Sequence, residues 1–251
     1  MAAAKYNMIK EIQNECEISG VNSPLLARIF IAFKYKSGSD NAWLQLNEKG
    51  SMTALLSSVE NNFTIALTQE ADLEEIKEFL RFVGCRSIVS NIPLNEAPKE
   101  HSLFEFKEAK VPSSTADFLV LNNEASTNDY KEIYSLLYSD AAVNFENWYY
   151  GFSKRIAKND AKAVALRQNG KALAMASAPM IFNSSAIISG VFTLTEHRNK
   201  GYSRTVIYKL IEELEKVGVS QCFLWCEKSL ESFYEKIGFE KIGCIYQETE
   251  L

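Results

Sequence analysis

"GVFTLTEHRNKGYSRTVIYKLIEEL", residues 190–214, changes character halfway along its length. Its first residues, together with "SAIIS" before them, read as an apolar strand. From about Ser203 the apolar side chains Val206, Ile207, Leu210, Ile211 and Leu214 recur at helical spacing, while Glu212, Glu213 and Glu215 face elsewhere. Between strand and helix lie Arg198, Lys200 and Arg204 around Gly201, in a chain whose formal net charge is −5. The first-turn N–H groups of a helix have no partner inside it, and the macrodipole adds partial positive charge there. Gly201 and the small Ser203 leave room for close approach, so residues 199–204 predict a cradle for a diphosphate. Charge and glycine alone describe equally well a solvated basic loop that caps a helix. The patterns G-x-x-x-x-G-K-[ST] and G-x-G-x-x-G are both absent, which takes support from nucleoside triphosphate and nicotinamide.

Outward from this junction the second half reads easily. A strand is expected at 117–121 and helices at 129–138 and 147–157. "AKAVALRQ", the turn Asn169-Gly170 and "KALAMASAPMIF" form a hairpin, since Asn-Gly supplies the positive φ angles of a two-residue turn. Residues 185–194 make the next strand. After the Ser203 helix, stopped by Gly218, come a buried strand "QCFLWC", a helix over 230–237 with Ser229 as N-cap and Gly238 at its end, and a last strand "KIGCIYQ". Strand, helix, helix, three strands, helix, strand, helix, strand is the order of an α/β protein with a mixed sheet and helices on its faces.

The first half repeats this order more faintly: a helix over 24–35, strands at "AWLQLN", "SMTALLSS" and "FTIALT", a helix over 72–83, and a strand "RSIVS". Leu46, Gly50, Ala54 and Ser57 can be laid on Leu166, Gly170, Ala174 and Ser177, so the chain divides as 1–111 and 112–251, with internal duplication left open. A short "LFEFK" strand and two Pro-bearing loops connect the halves. The first-half junction, "ALTQEADLEEIKEFL", is acidic where the second carries its cations.

Length and composition set the frame. At 251 residues, with 47% hydrophobic and 24% charged, the chain holds one large or two small folded domains. No apolar run nears the ~20 residues of a membrane span, and the opening lacks a signal sequence. Five cysteines without paired metal spacing read as reduced thiols, so a cytoplasmic protein is expected. His101 and His197 are too few for a His-rich metal site, and no metal is expected. The acidic balance argues against nucleic acid and is compatible with a cationic amine.

R-x-x-G-x-[GA] at Arg198 to Ser203, preceded by an apolar strand and opening a helix, resembles the central motif of the GNAT acetyltransferases, and "FYEKIGF" matches that family's later Y-x-x-x-G-F at Tyr234, Gly238 and Phe239. The resemblance covers about residues 112–251. It implies a GNAT-like acyl-CoA N-acyltransferase fold in tandem with a degenerate N-terminal copy, and acetyl-CoA as co-substrate. Backbone groups of Val191, Phe192 and Thr193 would hold the pantetheine arm like an added strand. Arg198, Asn199, Lys200, Gly201, Tyr202, Ser203 and Arg204 would hold the pyrophosphate, and Tyr234 would serve the departing sulfur as general acid. The reaction implied is N-acetylation of a primary amine. A fragment 112–251 is then expected to bind CoA and 1–111 not to.

This sequence departs from the family in three places. The strand before the motif has no carboxylate, Glu227 stands where relatives often carry asparagine, and Leu230 where they carry a small residue. The base is unassigned among water, Glu248 and Glu196. His197 reads as a neighbour of the coenzyme, and "FENWYYGF" as wall of a substrate cleft, core, or interface. A non-catalytic acyl-CoA binding or regulatory module is the rival reading, and transfer from a longer acyl thioester a third. The acceptor, on a small molecule, peptide or protein, and the choice between monomer and homodimer are not decided by the sequence.

Overall fold

A computed structural model describes residues 8–18, 21, 23–38, 40–107, 116–138 and 143–249. The first half runs β1 (Ile9–Glu11), α1 (Leu26–Lys34), β2 (Ala42–Leu46), β3 (Met52–Val59), β4 (Asn62–Leu67), α2 (Leu73–Phe82), β5 (Ser87–Ser90) and β6 (Lys99–Phe106). The second runs β7 (Asp117–Val120), α3 (Thr127–Leu137), α4 (Phe145–Ala157), β8 (Lys162–Gln168), β9 (Lys171–Phe182), β10 (Ser185–Thr193), α5 (Tyr202–Glu215), β11 (Gln221–Cys226), α6 (Glu231–Glu235) and β12 (Phe239–Thr249). This is the mixed α/β order expected. The expected division between residues 111 and 112 lies outside the described residues.

Helix starts follow their caps. Asp72 accepts from the Glu75 amide to open α2, and Asn144 from Asn147 to open α4 two residues ahead of the expected start. Ser126 and Asp129 form a reciprocal capping box that opens α3 at Thr127. Ser229 does not cap a helix: it lies inside a 3-10 turn, Lys228–Leu230, and α6 is correspondingly short. Asn169 and Gly170 take φ angles of 52° and 74°, the pair of left-handed residues that closes the β8–β9 hairpin.

The chain forms two compact units that do not follow its two halves. One comprises Met1–Phe104, Trp225–Tyr234 and Lys241–Leu251; the other comprises Glu105–Leu224 and Glu235–Glu240. In the first unit β1, β2, β3 and β4 are antiparallel neighbours in turn, β4 runs parallel to β5, and β5 pairs antiparallel with β12 through Ser90↔Tyr246 to Ser87↔Thr249. The last strand of the chain thus completes the sheet of the N-terminal half. Ala54, Leu56, Phe63, Ile65, Ile76, Leu80, Ile88 and Leu94 form a core between that sheet and α2. A cut at 111/112 would therefore remove β12 from the first unit.

In the second unit β7, β8, β9 and β10 are antiparallel in turn and β10 pairs parallel with β11. Alternation on β8 and β9 sends Ala161, Ala163, Ala165 and Met175 into a core with Tyr130, Ile133, Leu136, Phe152 and Ile156 of α3 and α4. Phe152, Trp148 and Phe145 of "FENWYYGF" pack in or against this core. The buried stripe Val206, Ile207, Leu210, Ile211 and Leu214 seats α5 on the sheet. None of the described helices is long and apolar enough to cross a membrane.

Candidate functional site

The site begins where β10 leaves its neighbours. Parallel pairing with β11 covers Ser185–Ile187 against Gln221–Phe223, and β10 then continues to Thr193. On its other edge the register with β9 shifts between Ile187 and Ser189 and again between Ser189 and Phe192. Between Ser189 and Phe192 two residues of β10, Gly190 and Val191, oppose the single Ala176 of β9, which is a β-bulge. Gly190 sits in it with φ of 62°, and a Cβ added to it would lie 2.6 Å from Leu137 Cδ2 and 3.0 Å from Ser177 Oγ. Both conformation and space require glycine at this point. An isolated glycine inside a strand pattern is the sequence signal for such a bulge, and the motif reading passed over it. Past the bulge Val191 and Phe192 are half-buried and Thr193 is buried.

The chain then turns into α5. Leu194 N donates to Leu173 O, a single 3-10 turn spans Thr195–His197, and Asn199 and Gly201 take φ angles of 62° and 81°. Nothing lies within 4 Å of a Cβ built on Gly201, so its left-handed φ, not crowding, requires glycine. Thr193 Oγ1 and Ser203 Oγ are 2.8 Å apart, which ties the strand end to the first turn of α5, and Arg198 Nε donates to Thr193 O at 3.3 Å. No side chain caps α5, and its first turn carries no acid. Arg198, Asn199, Lys200 and Arg204 are exposed around this end. Val191, Phe192, Thr193, Arg198, Asn199, Lys200, Gly201, Tyr202, Ser203 and Arg204 all belong to the second unit. Uncapped amides with added cations can take an anion of two or more charges.

Tyr234 belongs to the other unit. It is buried, its ring packs 5.0 Å from Phe233 and 6.2 Å from Phe104, and burial, with a smaller part from Cys226, pushes its phenol up to about 12. Such a group stays protonated throughout the neutral range.

The candidate bases divide. Glu248 on β12 is buried in the first unit, where its Oε1 accepts from Leu94 N at 2.8 Å and the register sets it opposite Ile88 of β5. Glu196 is exposed on the 3-10 turn. Glu227 is exposed and ion-paired to Lys99 at 2.9 Å, which holds its carboxyl below the usual range. His197 is half-buried beside Tyr202, ring centroids 6.3 Å apart, with an unpartnered Nδ1. Cys222 and Cys226 are free and buried, and burial pushes their thiols up to about 12 and about 11.

The first unit closes the corresponding junction with its own groups. Leu67, the last residue of β4, gives its N–H to Asn91 Oδ1 at 2.7 Å and takes a hydrogen bond from Asn91 Nδ2 at 2.8 Å. One side-chain amide thus saturates the strand end. At α2, Asp72 caps the Glu75 amide, and the fully buried Gln45 accepts from Asp72 N and donates to Asp72 O and Glu75 Oε2. The two hairpins differ in register by one residue, since Ala54 pairs with Gln45 whereas Ala174 pairs with Leu166. Ser57 pairs with Ala42 and Thr64, and Ser177 pairs with Ala163 and Ser189.

Residues 123–239 match the family model described as Acetyltransferase (GNAT) family. Among solved structures, the fold resembles a tandem GNAT protein from the clavulanic acid biosynthesis pathway, at TM-score 0.62 and 9% identity over 96% of this chain and 98% of that one. It also resembles a GCN5-related N-acetyltransferase from Kribbella flavida, at TM-score 0.61 and 15% identity over 78% and 86% of the two chains. A third likeness, at TM-score 0.58 and 11% identity over 96% and 99%, is to a GNAT-family acetyltransferase from Colwellia psychrerythraea. At these identities the likeness is one of fold. No curated protein matches the chain in sequence.

Proposed function

We propose that this chain, which carries an acetyltransferase (GNAT) domain over residues 123–239, is an N-acetyltransferase that moves the acetyl group of acetyl-CoA to a primary amine by direct attack. The observation that carries the reading is the uncapped N-terminus of α5 beside a strand end released from its partner. The amides of residues 202–204, with Arg198, Lys200 and Arg204, suit a pyrophosphate, and the free edge of β10 at Val191, Phe192 and Thr193 suits the amides of pantetheine. The corresponding β4–α2 junction offers neither, which supports a catalytic function for residues 112–251 and a degenerate copy in the N-terminal half.

In the reaction a neutral amine attacks the thioester carbon. An N–H at Phe192 or Thr193 stabilises the oxyanion, the C–N bond forms and the C–S bond breaks. A phenol at about 12 is a weaker acid than a thiol at ~8.5. Tyr234 acts as general acid by hydrogen-bonding the sulfur and donating to it as charge develops. The proton that the amine loses passes to the base and through solvent restores the phenol, so one proton leaves nitrogen for each that sulfur gains. With Glu248 committed to Leu94, water or Glu196 serves as base. The acceptor is a small-molecule, peptide or protein amine.

The test is thiol release from acetyl-CoA against a panel of amines. Tyr234→Phe is expected to lower kcat by about 10²–10⁴-fold with little change in coenzyme affinity. Because burial raises the Tyr234 pKa, activity should rise with pH as the amine loses its proton and show no descending limb below about pH 11. A tyrosine-dependent limb near pH 9–10 would contradict this assignment. The shortage of a free carboxylate base favours one rival, a non-catalytic acyl-CoA binding module. Coenzyme binding with no turnover on any amine would establish that rival instead.

A further inference from the structure

Arg28 on α1 has no role in the chemistry above and no partner of opposite charge among the described residues. The helix lies over β3 and β4, and Arg28 Nε donates to Thr64 Oγ1 of β4 at 2.7 Å. That neutral hydroxyl is its one hydrogen-bond partner among the described residues, although a guanidinium carries five N–H donors. Burial lowers its pKa from the ordinary guanidinium value, and no neighbouring carboxylate offsets the effect. Arg167 in the second unit illustrates the usual arrangement. It is bound by Asp129, at 2.8 Å, and by Glu132, and its pKa is raised. A partly buried charge without a counter-charge is costly to the fold, so the isolation of Arg28 asks for an explanation outside the chain.

The floor beneath it is polar and opens to solvent. In register across the sheet, Thr64 lies between Ser57 on β3 and Val89 on β5, and Val89 lies next to Gln247 on β12. Ser57 and Thr64 are 1% and 4% exposed, Val89 is half-buried and Gln247 exposed, so the row passes from core to surface within the first unit. One turn on along α1, Ala32 is small and Ile31 is buried in the core.

We propose that Arg28, oriented by Thr64, anchors a second ligand site that takes the carboxylate of a small molecule. The two terminal guanidinium nitrogens, which have no partner among the described residues, form a fork that matches the two oxygens of a carboxylate. One guanidinium neutralises one negative charge, which fits a carboxylate better than a phosphate dianion.

The experiment uses the full chain, with acetate and succinate as probes and inorganic phosphate as comparator, each against chloride of equal ionic strength. Thermal unfolding and calorimetric titration are the readouts. Acetate or succinate should raise Tm by roughly 3 °C near ten times Kd, with phosphate no different from chloride. Arg28→Met, similar in volume and uncharged, should unfold no earlier than wild type without probe and should lose the carboxylate shift. Arg28→Lys keeps the charge without the fork and should lose at least half of it. If Arg28→Met fails to fold, Thr64→Val decides, with an expected severalfold loss of carboxylate affinity. No carboxylate shift in wild type, an equal shift in Arg28→Met, or a larger shift with phosphate would each overturn the proposal.

Discussion

The two strand-to-helix junctions, β4 into α2 and β10 into α5, come from the same order of elements and present opposite surfaces. At the first, Asn91 saturates the end of β4 and Asp72 caps α2 beside the buried Glu75. At the second, β10 runs past its parallel partner, Gly201 starts α5 with no capping side chain, and three cations surround it. The difference teaches that two junctions of the same order can differ in whether their own side chains satisfy the helix end. A cap is worth about 0.5–2 kcal/mol to a helix. Leaving α5 without one keeps its amides available for an anion.

The strongest break of this comparison is to give the second junction the acid of the first. Gly201→Asp places a carboxylate at the N-cap, and aspartate tolerates the left-handed φ better than most residues. It should weaken CoA binding by about 100-fold in calorimetry and lower Tm, since the left-handed φ strains any side chain there. Removing single cations is gentler. Lys200→Ala and Arg204→Ala should each raise the KM for acetyl-CoA by about 5–10-fold, less so at high salt. In the first junction Asn91→Ala leaves the N–H and C=O of Leu67 unsatisfied. It should cost about 1–3 kcal/mol in denaturant unfolding and confer no CoA binding, because α2 stays acidic. Asp72→Ala should cost about 0.5–2 kcal/mol by the same measurement, again without new binding.

Most helices and hairpins were legible because their signals are local. Asp72 with Glu75, the Asn169-Gly170 turn and the apolar stripe of α5 act within four residues of where they stand. The loop and helix turn proposed as a cradle were legible as local structure for the same reason. The surroundings of the candidate bases were not. Glu248 stood among the candidates as a carboxylate on the last strand, yet β12 joins β5, and Leu94, 154 residues earlier, donates to it. Asn91 and Gly190 were overlooked because their work is done on Leu67 and against Leu137, residues no local pattern links to them.

The sequence by itself determined most of the strands and helices, that a helix follows Gly201, and that cations gather where it begins. Those properties depend on backbone conformation and side chains a few residues apart. Only the tertiary structure decided which sheet receives β12, which polar groups are buried with partners and which, like Arg28, meet no counter-charge among the described residues. Strand pairing and desolvation are set by residues brought together from distant parts of the chain, and the free energy of a charge depends on that company.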